Sequence, residues 1–148
     1  MEEALMRIWH QEILRYLPDL QFRGQLRELI LIKRSWERQG TPNHLLVNKV
    51  TAFPKDHLAT YFNTYATIYY ERYNKHIQQK YVAEFAAFGK IIQDTLFEGW
   101  HDEGYLKICM TNLYEKHAYA EGKSRITDEE WNRLLLGYHR ITGTAYDC

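Results

Sequence analysis

Apolar and polar residues recur along most of this chain with helical spacing, and proline or glycine marks the breaks. His10 to Leu17 is a short helical candidate stopped by Pro18. Pro18-Asp19 reads as the start of a longer helix, which runs to about Gln39 before Gly40-Thr41-Pro42 breaks it. Phe53-Pro54 opens a second helix, to about His76, whose Leu58, Phe62, Tyr65, Tyr69 and Tyr73 recur at spacings of three and four and so form a core stripe. Residues 79 to 97 and 103 to 119 predict further helices with a break around Gly99-Trp100, and Thr127-Asp128-Glu129-Glu130 is a capping box for a last helix ending near Gly143. No strand pair, internal repeat, low-complexity tract or Pro/Gly-rich linker interrupts this pattern. The expectation is a mainly α protein: a compact single-domain helical fold over residues 1–148, with a long first helix and a second long helix packed against it.

Composition narrows the class without changing the fold. A chain of 148 residues, 45% hydrophobic and 26% charged, suits one globular domain with a sizeable core. No apolar run approaches the roughly 20 residues needed to span a bilayer, and MEEALMR lacks a basic segment followed by an apolar one, which predicts a cytoplasmic protein without membrane association. Cys109 and Cys148 match neither zinc-ligand spacing nor a disulfide framework. The seven histidines show no H-x-x-x-H pairing, so they are expected at surface or capping positions and no metal site is expected.

The net charge of zero conceals an asymmetry. From Arg7 to Lys55 nine Lys/Arg face four acids, 9 − 4 = +5, whereas from Glu84 to Cys148 seven basic residues face eleven acids, 7 − 11 = −4. A neutral total therefore does not exclude a polyanionic partner such as nucleic acid; two solvated surfaces are the alternative.

The first long helix concentrates that positive charge. With a 100° step and Arg23 at zero, Arg27, Arg34 and Arg38 fall at about 40°, 20° and 60°, while Phe22, Leu26, Leu29, Ile32 and Trp36 occupy about 180° to 300°. Four arginines thus share one stripe, with Glu28 at about 140° and Glu37 at about 320°, both off it. Repulsion along the stripe needs an offset, and phosphate is a natural one, because guanidinium groups take phosphate oxygens bidentately and release counterions. A merely exposed helix is the alternative. Glu28, between the basic stripe and the apolar face, should be kept ionised by its arginine neighbours, which suits either a structural ion pair or a charge that stabilises a cationic intermediate.

Met6-Arg7-Ile8, followed after a short segment by Gln25-Leu26-Arg27-Glu28-Leu29, resembles the amino-terminal part of the phage-type pyrimidine dimer DNA glycosylases, the endonuclease V family. That family has a free terminal residue followed by Arg-Ile, and a first long helix carrying an Arg-Glu-Leu triplet about twenty residues on. The resemblance covers residues 6 to about 75, through the loop and second long helix. It implies a mostly helical protein, acting as a monomer on double-stranded DNA, that removes a damaged base and cuts the abasic strand by β-elimination without metal or organic cofactor. It also implies that the terminal amine, here that of Met6, attacks the sugar C1′ to form a Schiff base, that Glu28 supports the intermediate, and that Arg7 and Arg27 contact phosphate. Two positions depart from the family pattern: Gln21 stands where it has a histidine and Leu31 where it has a basic residue, although Lys33 and Arg34 lie close. In the acidic carboxy-terminal half only Gly137-Tyr138-His139-Arg140 and Gly143-Thr144-Ala145-Tyr146 echo an aromatic, basic ending. Tyr65, Tyr69 and Trp36 lie on core stripes and are assigned no base-stacking role.

Elementary acid–base chemistry fits that division of roles. An α-amine has a pKa of about 7.7 to 8.0, against about 10.4 for lysine, so about a tenth of it is unprotonated at pH 7, some hundreds of times the lysine fraction. It is a ready Schiff-base nucleophile, and a carboxylate beside it would meet the developing iminium charge. An amide nitrogen at Met6 cannot serve, so Met1 to Leu5 is expected to be an upstream extension or a masking segment. Two other readings stay open: a non-catalytic helical DNA-binding module that keeps the arginine stripe, and a protein-interaction domain without nucleic acid.

Overall fold

The computed structural model describes residues 8–39, 49–93 and 95–147, and among these all regular structure is helical. The α-helices whose bounds both fall among the described residues are, in chain order, α1 (Asp19–Gln39), α2 (Lys55–Tyr73), α3 (Gln79–Ala86), α4 (Glu103–Ala118) and α5 (Asp128–Thr142). The mainly α expectation holds. The chain forms two compact units, one holding Ile8 and the described residues of Gly24–Phe97, the other Trp9–Arg23 and Glu98 onward. No helix among the described residues is long and apolar enough to cross a membrane.

In the first unit, α2 ends three residues before the expected His76, because Asn74 turns left-handed at φ 54° and its N–H caps the Tyr70 carbonyl at 2.8 Å. The tyrosine stripe does more than fill space. Tyr61, one turn before the buried Tyr65, donates its hydroxyl to Gln25 Oε1 at 3.0 Å. This bond fastens α1 two residues before Arg27. The helix expected over 79–97 is confined to Gln79–Ala86. Beyond it, Phe88, Leu96 and Phe97 are buried from non-helical backbone, so tertiary anchoring overrides local periodicity. Gly89, at φ 144°, packs so closely on Asp56 that an added Cβ would lie 2.8 Å from the Asp56 Cβ. Phe97 is pinned as its N–H donates to His57 Nδ1 at 3.1 Å.

In the second unit, the helical candidate at His10 to Leu17 is a single 3-10 turn, Leu14–Tyr16, ahead of Pro18. The Thr127 capping box forms as expected: its hydroxyl accepts from the Glu130 N–H at 3.1 Å while Glu130 accepts from the Thr127 N–H at 2.9 Å. Gly137 sits so close to Tyr16 that a Cβ there would overlap the phenol ring, and Tyr146 meets Trp131 and Tyr138 edge-on. The aromatic ending is thus part of this unit's packing. His10 corrects the expectation of surface or capping histidines, for it is buried and stacks at 5.1 Å on the half-buried His101.

Candidate functional site

The candidate site is a stretch of α1 whose placement follows from its apolar face. Phe22, Leu29, Ile32 and Trp36 are buried as the helical wheel requires, and Leu26 is half-buried. This turns Arg23, Arg27, Arg34 and Arg38 outward; the side chains of Arg23 and Arg34 are 65% and 52% exposed. Glu28 is half-buried at the border between the two faces. One of its oxygens, Oε2, is buried and accepts no hydrogen bond among the described residues, while the residue is engaged through other interactions. Desolvating a carboxylate oxygen is costly unless a compensating charge is present.

The four arginines are not equivalent. Arg23 pairs with Asp19 at 2.9 Å along the helix, and Arg34 makes a bidentate pair with Glu84 of α3, Nε to Oε1 at 3.1 Å and Nη2 to Oε2 at 2.9 Å. Arg27 and Arg38 make no ion pair among the described residues. Part of the offset that the wheel assigns to phosphate is therefore intramolecular. Charge and hydrogen bonding from Glu84 raise the already high affinity of Arg34 for its proton, and Arg34 in turn holds the Glu84 carboxyl below the usual range. Lys33, close to the family's missing basic position, points inward instead. Its Nζ lies 2.8 Å from Glu37, 3.7 Å from Glu84 and 5.4 Å from the centre of the Phe88 ring. On the same wheel Lys33 falls at about 280°, on the apolar face, and that position signals a buried, paired lysine. Glu84 has no such signature, because its partner comes from another helix. Met6 and Arg7 lie outside the described residues.

A family model for pyrimidine dimer DNA glycosylases matches residues 6–88, more than half of the chain. The chain belongs to that family. No curated protein and no solved structure matches it. The family match begins at Met6 and spans α1, α2 and α3, so it contains Glu28 and the whole arginine stripe, while α4 and α5 fall beyond it. A pyrimidine dimer glycosylase takes DNA as substrate, and an outward row of guanidinium groups is the surface such a polyanion would need.

Proposed function

We propose that this glycosylase excises a damaged pyrimidine and then cleaves the abasic strand, through a Schiff base on the amine of Met6. Glu28 carries the reading. It is a partly desolvated carboxylate inside the family match, on a helix fastened by Tyr61 and one residue from an arginine with no ion pair among the described residues. Preorganised charge of this kind acts most strongly where water is excluded. In the proposed sequence the amine lone pair attacks C1′ and the bond from C1′ to the base breaks, its electron pair and a proton leaving with the base. With the amine proton passed to the base, the nitrogen lone pair forms the C1′=N bond as the C1′–O4′ bond breaks, O4′ takes a proton from solvent, and the Glu28 carboxylate offsets the charge of the resulting iminium. Removal of a C2′ proton then forms the C2′–C3′ double bond and expels the 3′ phosphate. Water hydrolyses the iminium and restores the amine. Arg27, with Arg7, Arg23, Arg34 and Arg38, holds the phosphates that keep C1′ in register.

The nucleophile requires a free amine at Met6, so Met1 to Leu5 would displace it; fully extended, five residues span up to roughly 17 Å. The test compares a chain starting at Met6 with one starting at Met1, both on abasic duplex DNA with sodium borohydride, the termini checked by mass spectrometry. The Met6 chain is expected to become covalently trapped and the Met1 chain to trap poorly. Equal trapping would move the chemistry to a lysine or to the Met1 amine. No trapping by either, with DNA binding retained, would leave a non-catalytic binding module.

A further inference from the structure

The bidentate pair between Arg34 and Glu84 lies on the face that should be presented to DNA. A carboxylate in the fork of a guanidinium has the geometry of a phosphodiester in the same place, since both offer two oxygens to two parallel N–H donors. We propose that Arg34 forms a phosphodiester-binding site that Glu84 fills in the free protein, so that DNA binding exchanges the carboxylate for a backbone phosphate. The inference rests on the reading of α1 as the DNA-binding face.

Three observations make the exchange inexpensive. The Arg34 side chain is 52% exposed and that of Glu84 23%, so solvent reaches the pair from the arginine side, and pairs near the surface contribute little to stability. Departure of Glu84 strands no buried charge, because Lys33, whose side chain is only 5% exposed, keeps its closer contact with Glu37 at 2.8 Å against 3.7 Å to Glu84. Lys33 and Lys55 stay behind around the Phe88 ring, at 5.4 Å and 5.1 Å, and add positive potential where the phosphate would sit. Glu84 thus acts as an internal competitor that tempers nonspecific affinity.

Fluorescence anisotropy with undamaged duplex DNA between 50 and 200 mM salt tests this. Glu84→Gln should bind roughly threefold to tenfold more tightly near 100 mM salt and steepen the log-log salt dependence by roughly 1, one additional phosphate contact. Arg34→Ala in that background should abolish both gains. If Glu84→Gln merely lowers the melting temperature and leaves affinity and slope unchanged, the pair is a tie between α1 and α3 and the proposal is overturned. In the unaltered protein, the Arg34 Nε resonance should shift on adding duplex DNA, and an unmoved resonance with DNA bound overturns it without reference to any variant. Arg27→Ala separates the two levels of inference. A slope lowered by roughly 1 keeps α1 as the DNA face even if Glu84 fails, whereas an unchanged slope refutes the face itself.

Discussion

Acid should weaken the second unit through its stacked histidines well before its carboxylates are protonated. His10 and His101 each accept a backbone N–H at Nδ1, from Glu12 at 3.1 Å and from Gln11 at 3.2 Å. Both rings are therefore neutral with the proton on Nε2, and protonating either at Nδ1 breaks its bond. Tyr105 stacks on both rings and Trp100 meets His101 edge-on. Burial, with a smaller contribution from His10, pushes His101 down to about 2. Burial also lowers His10, opposed by the charge of Glu12 and Asp102 and by hydrogen bonds to the backbone of His101 and Asp102. The sign follows from linkage. The unfolded chain takes up these protons near pH 6.5 and the folded chain does not, so stability falls as pH falls through that value and keeps falling toward the folded pKa. With a slope that approaches about 1.4 kcal/mol per pH unit below the unfolded pKa, His101 alone removes about 2.3 kcal/mol between pH 6.5 and 4.5, and His10 adds loss of the same sign. That is a sizeable part of the stability of an ordinary domain. Urea unfolding at pH 7.5, 6.5, 5.5 and 4.5 measures it. The comparison is His101→Asn, whose amide oxygen can replace Nδ1 as the acceptor for Gln11 but does not titrate. The variant should lose about 1.4 kcal/mol less per pH unit below 6.5 than the unaltered chain. Parallel pH dependences would refute the account, because the proton uptake would then lie elsewhere.

Three further outcomes follow from the described contacts. Glu28→Gln should lower strand cleavage of abasic DNA by roughly a hundredfold or more while leaving duplex binding nearly intact, measured by single-turnover kinetics and anisotropy; full activity would reduce Glu28 to an ion-pairing residue. Tyr61→Phe removes the hydroxyl that Gln25 Oε1 accepts in the core and should cost about 1 to 3 kcal/mol in urea unfolding, against no change if that bond is incidental. Gly137→Ala drives a methyl into the Tyr16 ring and should cost about 1 to 3 kcal/mol, whereas a stabilised variant would mean that the ring moves freely.

What the sequence made legible is what depends on one element at a time. The long span of α1, its buried Phe22, Leu29, Ile32 and Trp36, the outward arginines and the Thr127 capping box all follow from 3.6-residue periodicity and local caps, and each is present. What it concealed depends on pairs of elements. Beyond Ala86 the pattern remained helical, yet Phe88, Leu96 and Phe97 are buried from irregular backbone, an outcome that burial energy decides and local propensity does not. Histidines without a ligand motif are expected at surface or capping positions, but the buried His10 and the half-buried His101 are some ninety residues apart in sequence and meet only in the folded unit. The arginine stripe shows the same limit at the site itself. One helix read alone offers Arg34 only Glu37, which pairs with Lys33 at 2.8 Å, and the carboxylate that fills the Arg34 fork arrives from α3 fifty residues later. Since phosphate and carboxylate answer the same guanidinium, a single-helix charge pattern identifies a place that needs an anion and leaves open whose anion it is. In this glycosylase the answer differs along one helix, with Arg23 and Arg34 already matched by carboxylates and Arg27 and Arg38 lacking one among the described residues.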